Sequence, residues 1–295
     1  MGFVINRFRG DMALLQPGID WLEQKTGKPV FAVLPYLHDL YLEAEDAVAI
    51  DKYQHKKQNL FQIVIPLLPR ISNHTDFDPL LLHPDVTVEF VKHPDDCKAA
   101  DLVILPGSKS VRDDLHWLKE MGWDTFINKH LRYGGRLIGL CGGYQILGKA
   151  IHDPHGVEGK KGSSSGLNFL DFETTLTEKK QLRNVTGYLL LNNVSVSGYE
   201  IHTGVSQGIA LNNPAMMLNG ISEGVFSEDN LMMGCYMHGI FDSPEACDAL
   251  LSWAGCESQN ALDIDEMREQ GIELITRALE ENFDFASLQH CLDIF

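Results

Sequence analysis

Basic residues are scarce in this 295-residue sequence. There are 24 Lys and Arg against 41 Asp and Glu, a formal net charge of −17. Nucleic acids and anionic membranes are gripped by clustered Lys and Arg, so both make poor partners for this chain, and charge of this sign serves solubility. No apolar run approaches the roughly 18 residues of a membrane span. The start, "MGFVINRFRGD", lacks a basic stretch followed by a long apolar one, so no secretory signal is expected. Six cysteines stand at 97, 141, 235, 247, 256 and 291, too far apart for a CxxC pair or a zinc ligand set. No metal centre is expected, and the thiols fit a reduced, cytoplasmic chain. The phosphate-binding pattern G-x-x-x-x-G-K-[ST] is absent, and so are internal repeats and heptads.

What is present is an ordinary soluble composition, 44% hydrophobic and 22% charged, long enough for one large domain or two smaller ones. The apolar run 3–8, a helical pattern over 11–27 closed by Gly27, and the apolar run 28–37 spell a βαβ unit, which implies parallel pairing. Two strands do not make a stable sheet alone. This opening therefore reads as the last part of a domain whose first strands lie elsewhere. Residues 38–59 are polar and charge-mixed, expected to form a short helix and a linker.

A second α/β series starts at 60–68. Strands are expected at 86–91, at 100–110 up to a Pro-Gly turn, and at 136–141. Helices are expected over 111–133 and 144–151, with a Gly/Ser-rich loop at 152–166. Residues 169–240 read as strands. Ser243 and Pro244 open a terminal helix, and 264–283 has helical spacing. The domains expected are 1–59, 60–256 and a helical tail, 257–295.

The stretch "RLIGLCGGYQILG" (136–148) runs a strand into a helix through G-x-C-x-G. Cys141 can be a small buried thiol on a tight turn. It can also be a nucleophile, held on a strained turn at a strand's carboxyl end, where open α/β sheets bind ligands. A helix N-terminus there favours thiolate, and the Gly142 N–H points where an oxyanion would form. "LPGSKS" (105–110) offers a second donor at Gly107 or Ser108. In "CYMHGIFD" (235–242), His238 ends an apolar run before a glycine, as a base for such a thiol would.

Taken in order, "LPGSK", "GLCGGYQILG", "GYEIHTG" and "YMHGIFD" resemble the class I glutamine amidotransferase domain of the cobyric acid synthase family. "FVINRFRGD", "LLQPGIDWLEQKTGKPVFAVLPYL" and "LEAEDAV" resemble the segment just upstream in that family. The resemblance implies an open, doubly wound, flavodoxin-like mixed sheet, preceded by a partial βαβ remnant of a P-loop-like synthetase domain. It implies release of ammonia from glutamine through a Cys thioester, for ATP-dependent amidation of corrin side-chain carboxylates in cobalamin biosynthesis. Cys141 then resembles the nucleophile, His238 its acid and base, Gly107 and Gly142 the oxyanion donors, and Gln145 a residue holding the substrate glutamine.

Class I domains usually carry Glu two residues after the catalytic His; here that position is Ile240. The third member is thus open between a bare Cys–His dyad and a contribution from Glu200 or His202. The resemblance also makes Asn6 a candidate adenine contact, against a plain capping role. ATP and Mg are expected only with the missing N-terminal domain, as is the corrinoid; within this chain no cofactor is expected, and glutamine is the expected ligand. The branch that amidates the a and c side chains has a similar layout; "NRFRGD" and "GLCGGYQ" favour cobyric acid synthase. The alternatives are another cysteine hydrolase of the same architecture and a catalytically silent docking fragment.

Overall fold

The computed structural model describes residues 2–38, 40 and 60–293. The chain divides into two compact units: residues 1–45 with 265–295, and residues 46–264. Most of the polar stretch 38–59, with its expected short helix and linker, lies outside the described residues.

In the first unit, strand β1 (Phe3–Phe8), helix α1 (Met12–Thr26) and strand β2 (Val30–Pro35) form the expected parallel βαβ. Asp11 caps α1 by accepting from the Ala13 N–H at 2.9 Å, and Gly27, at φ 64°, ends it. Residues near the carboxyl terminus close on β2. Phe283 stacks on Phe31 at 6.2 Å, and the Asp284 N–H donates to the Phe31 carbonyl at 2.7 Å.

The second unit opens with β3 (Phe61–Pro66), β4 (Ile71–Ser72), α2 (Asp78–Leu82), β5 (Val86–Val91), β6 (Leu102–Leu105) and β7 (Gly107–Ser108). Next come α3 (Val111–Glu120), α4 (Trp123–Arg132), β8 (Arg136–Leu140), α5 (Gly142–Leu147), β9 (Ala150–Asp153) and β10 (Gly162–Ser165). A long hairpin follows, β11 (Glu173–Leu189) and β12 (Val194–Gln207), then β13 (Met216–Leu218), β14 (Ile221–Glu223), β15 (Val225–Phe226), β16 (Met232–Cys235) and β17 (Met237–His238). Helices α6 (Pro244–Ala254), α7 (Ile264–Asn282) and α8 (Phe285–Asp293) complete the chain, with all but the first residue of α7 in the first unit.

The central sheet has the order β15-β16-β8-β6-β3-β5, parallel except for β15. Its strands are apolar at consecutive positions because both faces are covered. Ile63, Ile65, Leu102, Ile104, Ile138 and Leu140 join one core with α2, α6 and the hairpin sheet. Their neighbours Val64, Val103, Leu105 and Leu137 join a second core with α3, α4 and α5. The second sheet runs β10-β9-β11-β12-β17, with β13 and β14 branching from β11.

The helical stretches expected over 111–133 are two helices, separated where Gly122 adopts φ 81°. Two local expectations are corrected. The helix expected over 144–151 ends at Leu147. Gly148 is extended, and the Lys149 N–H donates to the Phe172 carbonyl at 2.7 Å, which starts a strand. The Gly/Ser-rich loop 152–166 contains β10, paired antiparallel with β9. The Asp153 carboxylate takes the N–H groups of Gly156, Val157 and Glu158 at 2.7–3.0 Å and so holds the turn between these strands. Serine composition hides an edge strand whose order comes from this turn.

Candidate active site

Cys141 sits where β8 becomes α5, at φ 50° and ψ −107°. Among the described residues, the other non-glycine residues at positive φ are Arg7 and asparagines. Asparagine tolerates the left-handed region; a cysteine at this ψ lies outside even that, and such strain persists only where surrounding structure imposes it. The constraint is visible at Gly143, where a Cβ would stand 2.1 Å from the Leu105 carbonyl oxygen. At Gly142 a Cβ would stand 2.8 Å from the Ser108 nitrogen, so the turn after β6 lies directly against the first turn of α5. Of the sequence candidates for oxyanion donors, Ser108 lies against Gly142, while a Cβ on Gly107 would stand 3.7 Å from His238 Cε1.

Gly143→Ala is expected to push α5 off β6 and destabilise the chain by about 1–3 kcal/mol, the usual range for overpacking. Urea unfolding alongside Cys141 alkylation checks this. An unshifted midpoint with normal alkylation would show that the elbow does not need this close approach.

β8 and β16 are adjacent parallel strands, and the Cys141 N–H donates to the Cys235 carbonyl at 2.8 Å. Three residues on, His238 pairs with Tyr199 of β12. Cys141 and His238 therefore lie at the carboxyl ends of neighbouring strands, where the parallel topology gathers ligand-binding groups. The Cys141 thiol donates to the Ile201 carbonyl at 3.7 Å.

The His238 ring is fully buried and stacks on Tyr199 at 5.3 Å. Its Nδ1 lies 2.7 Å from Asp76 Oδ2. Its Nε2 makes no hydrogen bond of ordinary geometry among the described residues. Burial opposes charge on this ring, but the hydrogen bond to Asp76 and the nearness of the Cys141 thiol outweigh it and push the pKa up to about 10.

Asp76 was not among the sequence candidates. It lies in a 3-10 turn, His74–Phe77, after β4. A polar "SNHTD" (72–76) following a buried strand of the central sheet is the signal that could have found it, since β3 ends on the same edge of the sheet as β8.

Glu200 and His202 lie on β12, near this centre but engaged elsewhere. Glu200 Oε2 accepts from Arg183 Nε at 2.8 Å. Burial would raise the Glu200 carboxyl, yet His202 and Arg183 hold it below its ordinary value. His202 contacts the Gly204 carbonyl at 2.8 Å and stacks on Tyr236 at 3.8 Å. The group hydrogen-bonded to His238 Nδ1 is neither of these but Asp76, in the turn after β4.

Gln145 is buried one turn past the elbow. Its Nε2 donates to the Tyr236 hydroxyl at 3.4 Å, and its Oε1 has no partner among the described residues. Tyr144 packs between Phe172 and Tyr236, as a core residue. Beneath them, burial pushes the Glu223 carboxyl up to about 8, against the pull of the Tyr236 and Gly224 N–H groups. Asn6 lies in the first unit, exposed, with its Oδ1 accepting from the Arg7 N–H at 2.8 Å. No group of three metal-ligating side chains occurs among the described residues, nor a helix long and apolar enough to cross a membrane.

A thiol on a strained elbow, beside an imidazole held by a carboxylate, is equipped for nucleophilic attack on a carbonyl carbon and acyl transfer to water. The architecture around it resembles that of a solved structure. A glutamine amidotransferase structure aligns at 15% identity with a TM-score of 0.50, covering 65% of this chain and 98% of the other. PurLQS from Thermotoga maritima aligns at 16% identity with a TM-score of 0.48, covering 72% and 99%. The fold is that of the class I glutamine amidotransferases. Residues 62–246 match the model of the CobB/CobQ-like glutamine amidotransferase domain, and the chain belongs to that family.

Proposed function

We propose that this chain is the glutamine-hydrolysing part of a cobyric acid synthase. The observation that carries the reading is the strained Cys141 elbow on the strand beside His238, inside a domain of this family. In the proposed reaction the Cys141 thiolate attacks the side-chain amide carbon of glutamine. Gly107 and Gly142 N–H groups receive the oxyanion, and Gln145 helps hold the substrate. The C–N bond breaks as His238 gives its proton to the leaving nitrogen, which departs as ammonia. Water then attacks the thioester, His238 takes its proton, the C–S bond breaks, and the Cys141 thiolate is restored as glutamate leaves. Glu200 and His202 take no step in it; their contacts are with Arg183, Gly204 and Tyr236.

The upstream segment "NRFRGD" and the order of the four motifs support the cobyric acid branch. Amidation of a corrin carboxylate needs ATP with Mg. No phosphate-binding loop occurs in this sequence, so no step through ATP is assigned to its residues. Asn6 would serve a neighbouring nucleotide domain as an adenine contact.

The test is ammonia and glutamate release from glutamine by the full chain, alone and with a cobyric acid synthase nucleotide domain, ATP, Mg and a corrin carboxylic acid. Glutamine hydrolysis coupled to amide formation on the corrin is expected. Hydrolysis of peptides but not glutamine would instead identify another cysteine hydrolase.

A further inference from the structure

We infer that Asp76 is the positioning residue of the Cys141–His238 pair, in place of the carboxylate absent from position 240. The inference rests on the proposed glutamine hydrolysis. Asp76 Oδ2 lies 2.7 Å from His238 Nδ1, and its other oxygen accepts from the Gly239 N–H at 3.0 Å. Both carboxylate oxygens are therefore spent on the His238 segment, one on the ring and one on the backbone just after it. Asp76 is 3% exposed and His238 is 0% exposed, so water does not compete for this contact.

The backbone that carries Asp76 is fixed independently of that bond. Its N–H donates to the Asn73 carbonyl at 3.1 Å, and Asn73 at φ 54° makes the turn. The Asn73 side chain donates to the Tyr199 hydroxyl at 2.8 Å, behind the same imidazole. Just upstream, β4 pairs with β7, so the Asp76 turn is tied to Gly107 and Ser108. One small network thus holds the carboxylate, the imidazole stack and the turn beside the elbow.

The groups facing His238 are Asp76, the Cys141 thiol, the Tyr199 ring and, nearby, Cys235, whose thiol donates to the Met237 carbonyl at 3.6 Å. Ile240, at the position where the resemblance places Glu, is buried and has no acceptor. A carboxylate at Nδ1 requires Nδ1–H, which leaves Nε2 as the atom that exchanges a proton with the thiol and the leaving nitrogen. It also balances the imidazolium that forms when the thiol ionises.

Asp76→Asn separates this role from packing. Asn can keep the Gly239 contact through its oxygen, but presents an N–H to the ring and favours the wrong tautomer. Glutamine hydrolysis is expected to fall in kcat by on the order of 10²–10⁴-fold, with KM little changed. Alkylation of Cys141 by iodoacetamide at pH 7 is expected to slow, and its pH profile to differ from that of the wild-type chain. Asp76→Glu is expected to restore part of both.

The alkylation profile needs no glutamine turnover, so it reads Asp76 even if the wild-type chain proves inactive on glutamine; that inactivity would count against the functional reading alone. Asp76→Asn with kcat within about threefold of wild type and an unchanged alkylation profile would overturn the inference. If Asp76→Asn fails to fold, Asp76→Glu decides: an altered profile supports the role, and a wild-type profile at reduced stability makes Asp76 structural.

Discussion

Cys141→Ala is expected to remove glutamine hydrolysis, by at least about 10³-fold, together with all labelling by a glutamine-mimicking electrophile. In the proposed reaction the thiol supplies the attacking electron pair, and alanine leaves nothing on the elbow to replace it. The label should map to this one site in the wild-type chain. Burial raises the Cys97 thiol to about 11 and also pushes Cys235, Cys247 and Cys256 up, so these thiols stay protonated and slow near neutral pH. Peptide mapping after labelling checks this directly. A label retained in Cys141→Ala, with ammonia release intact, would move the chemistry to another residue.

His238→Ala is expected to lower hydrolysis by about 10²–10⁴-fold, the usual range for a general acid–base group. The ring also links stability to pH. Its pKa is raised from 6.5 to about 10 in the folded chain, so the folded state holds a proton that the unfolded state releases in that window. The stabilisation is fully present below pH 6.5 and is lost as pH rises toward 10. Urea unfolding of wild type and His238→Gln should therefore show a stability gap that narrows from pH 6 to pH 10. A gap independent of pH would mean that the folded chain does not hold a charged His238.

Much of this architecture was legible because burial on two faces leaves a plain sequence mark. Ile63 and Ile65 face one core while Val64 faces the other, and the same division splits Leu102 from Val103 and Ile138 from Leu137. The elbow was legible because the close approach of α5 to β6 tolerates only glycine at 143. His238 stood out as the end of an apolar run.

Asp76 did not, because it is 162 residues from His238 and meets it only through the strand order of the central sheet. The Arg183–Glu200 pair was equally hidden. It depends on the register of the β11–β12 hairpin, which sets Arg183 opposite Glu200 and thereby engages a residue that the motif alone left available for catalysis. Strand β10 was missed because a Gly/Ser run carries no apolar alternation; pairing with β9 and the Asp153 turn order it.

The most direct measurement is acid quenching of the full chain during turnover of isotope-labelled glutamine, followed by peptide mapping. A hydroxylamine-sensitive glutamyl adduct on the peptide containing Cys141, absent from Cys141→Ala, is the predicted result. An adduct on another peptide, or glutamate release with no dependence on Cys141, would contradict it.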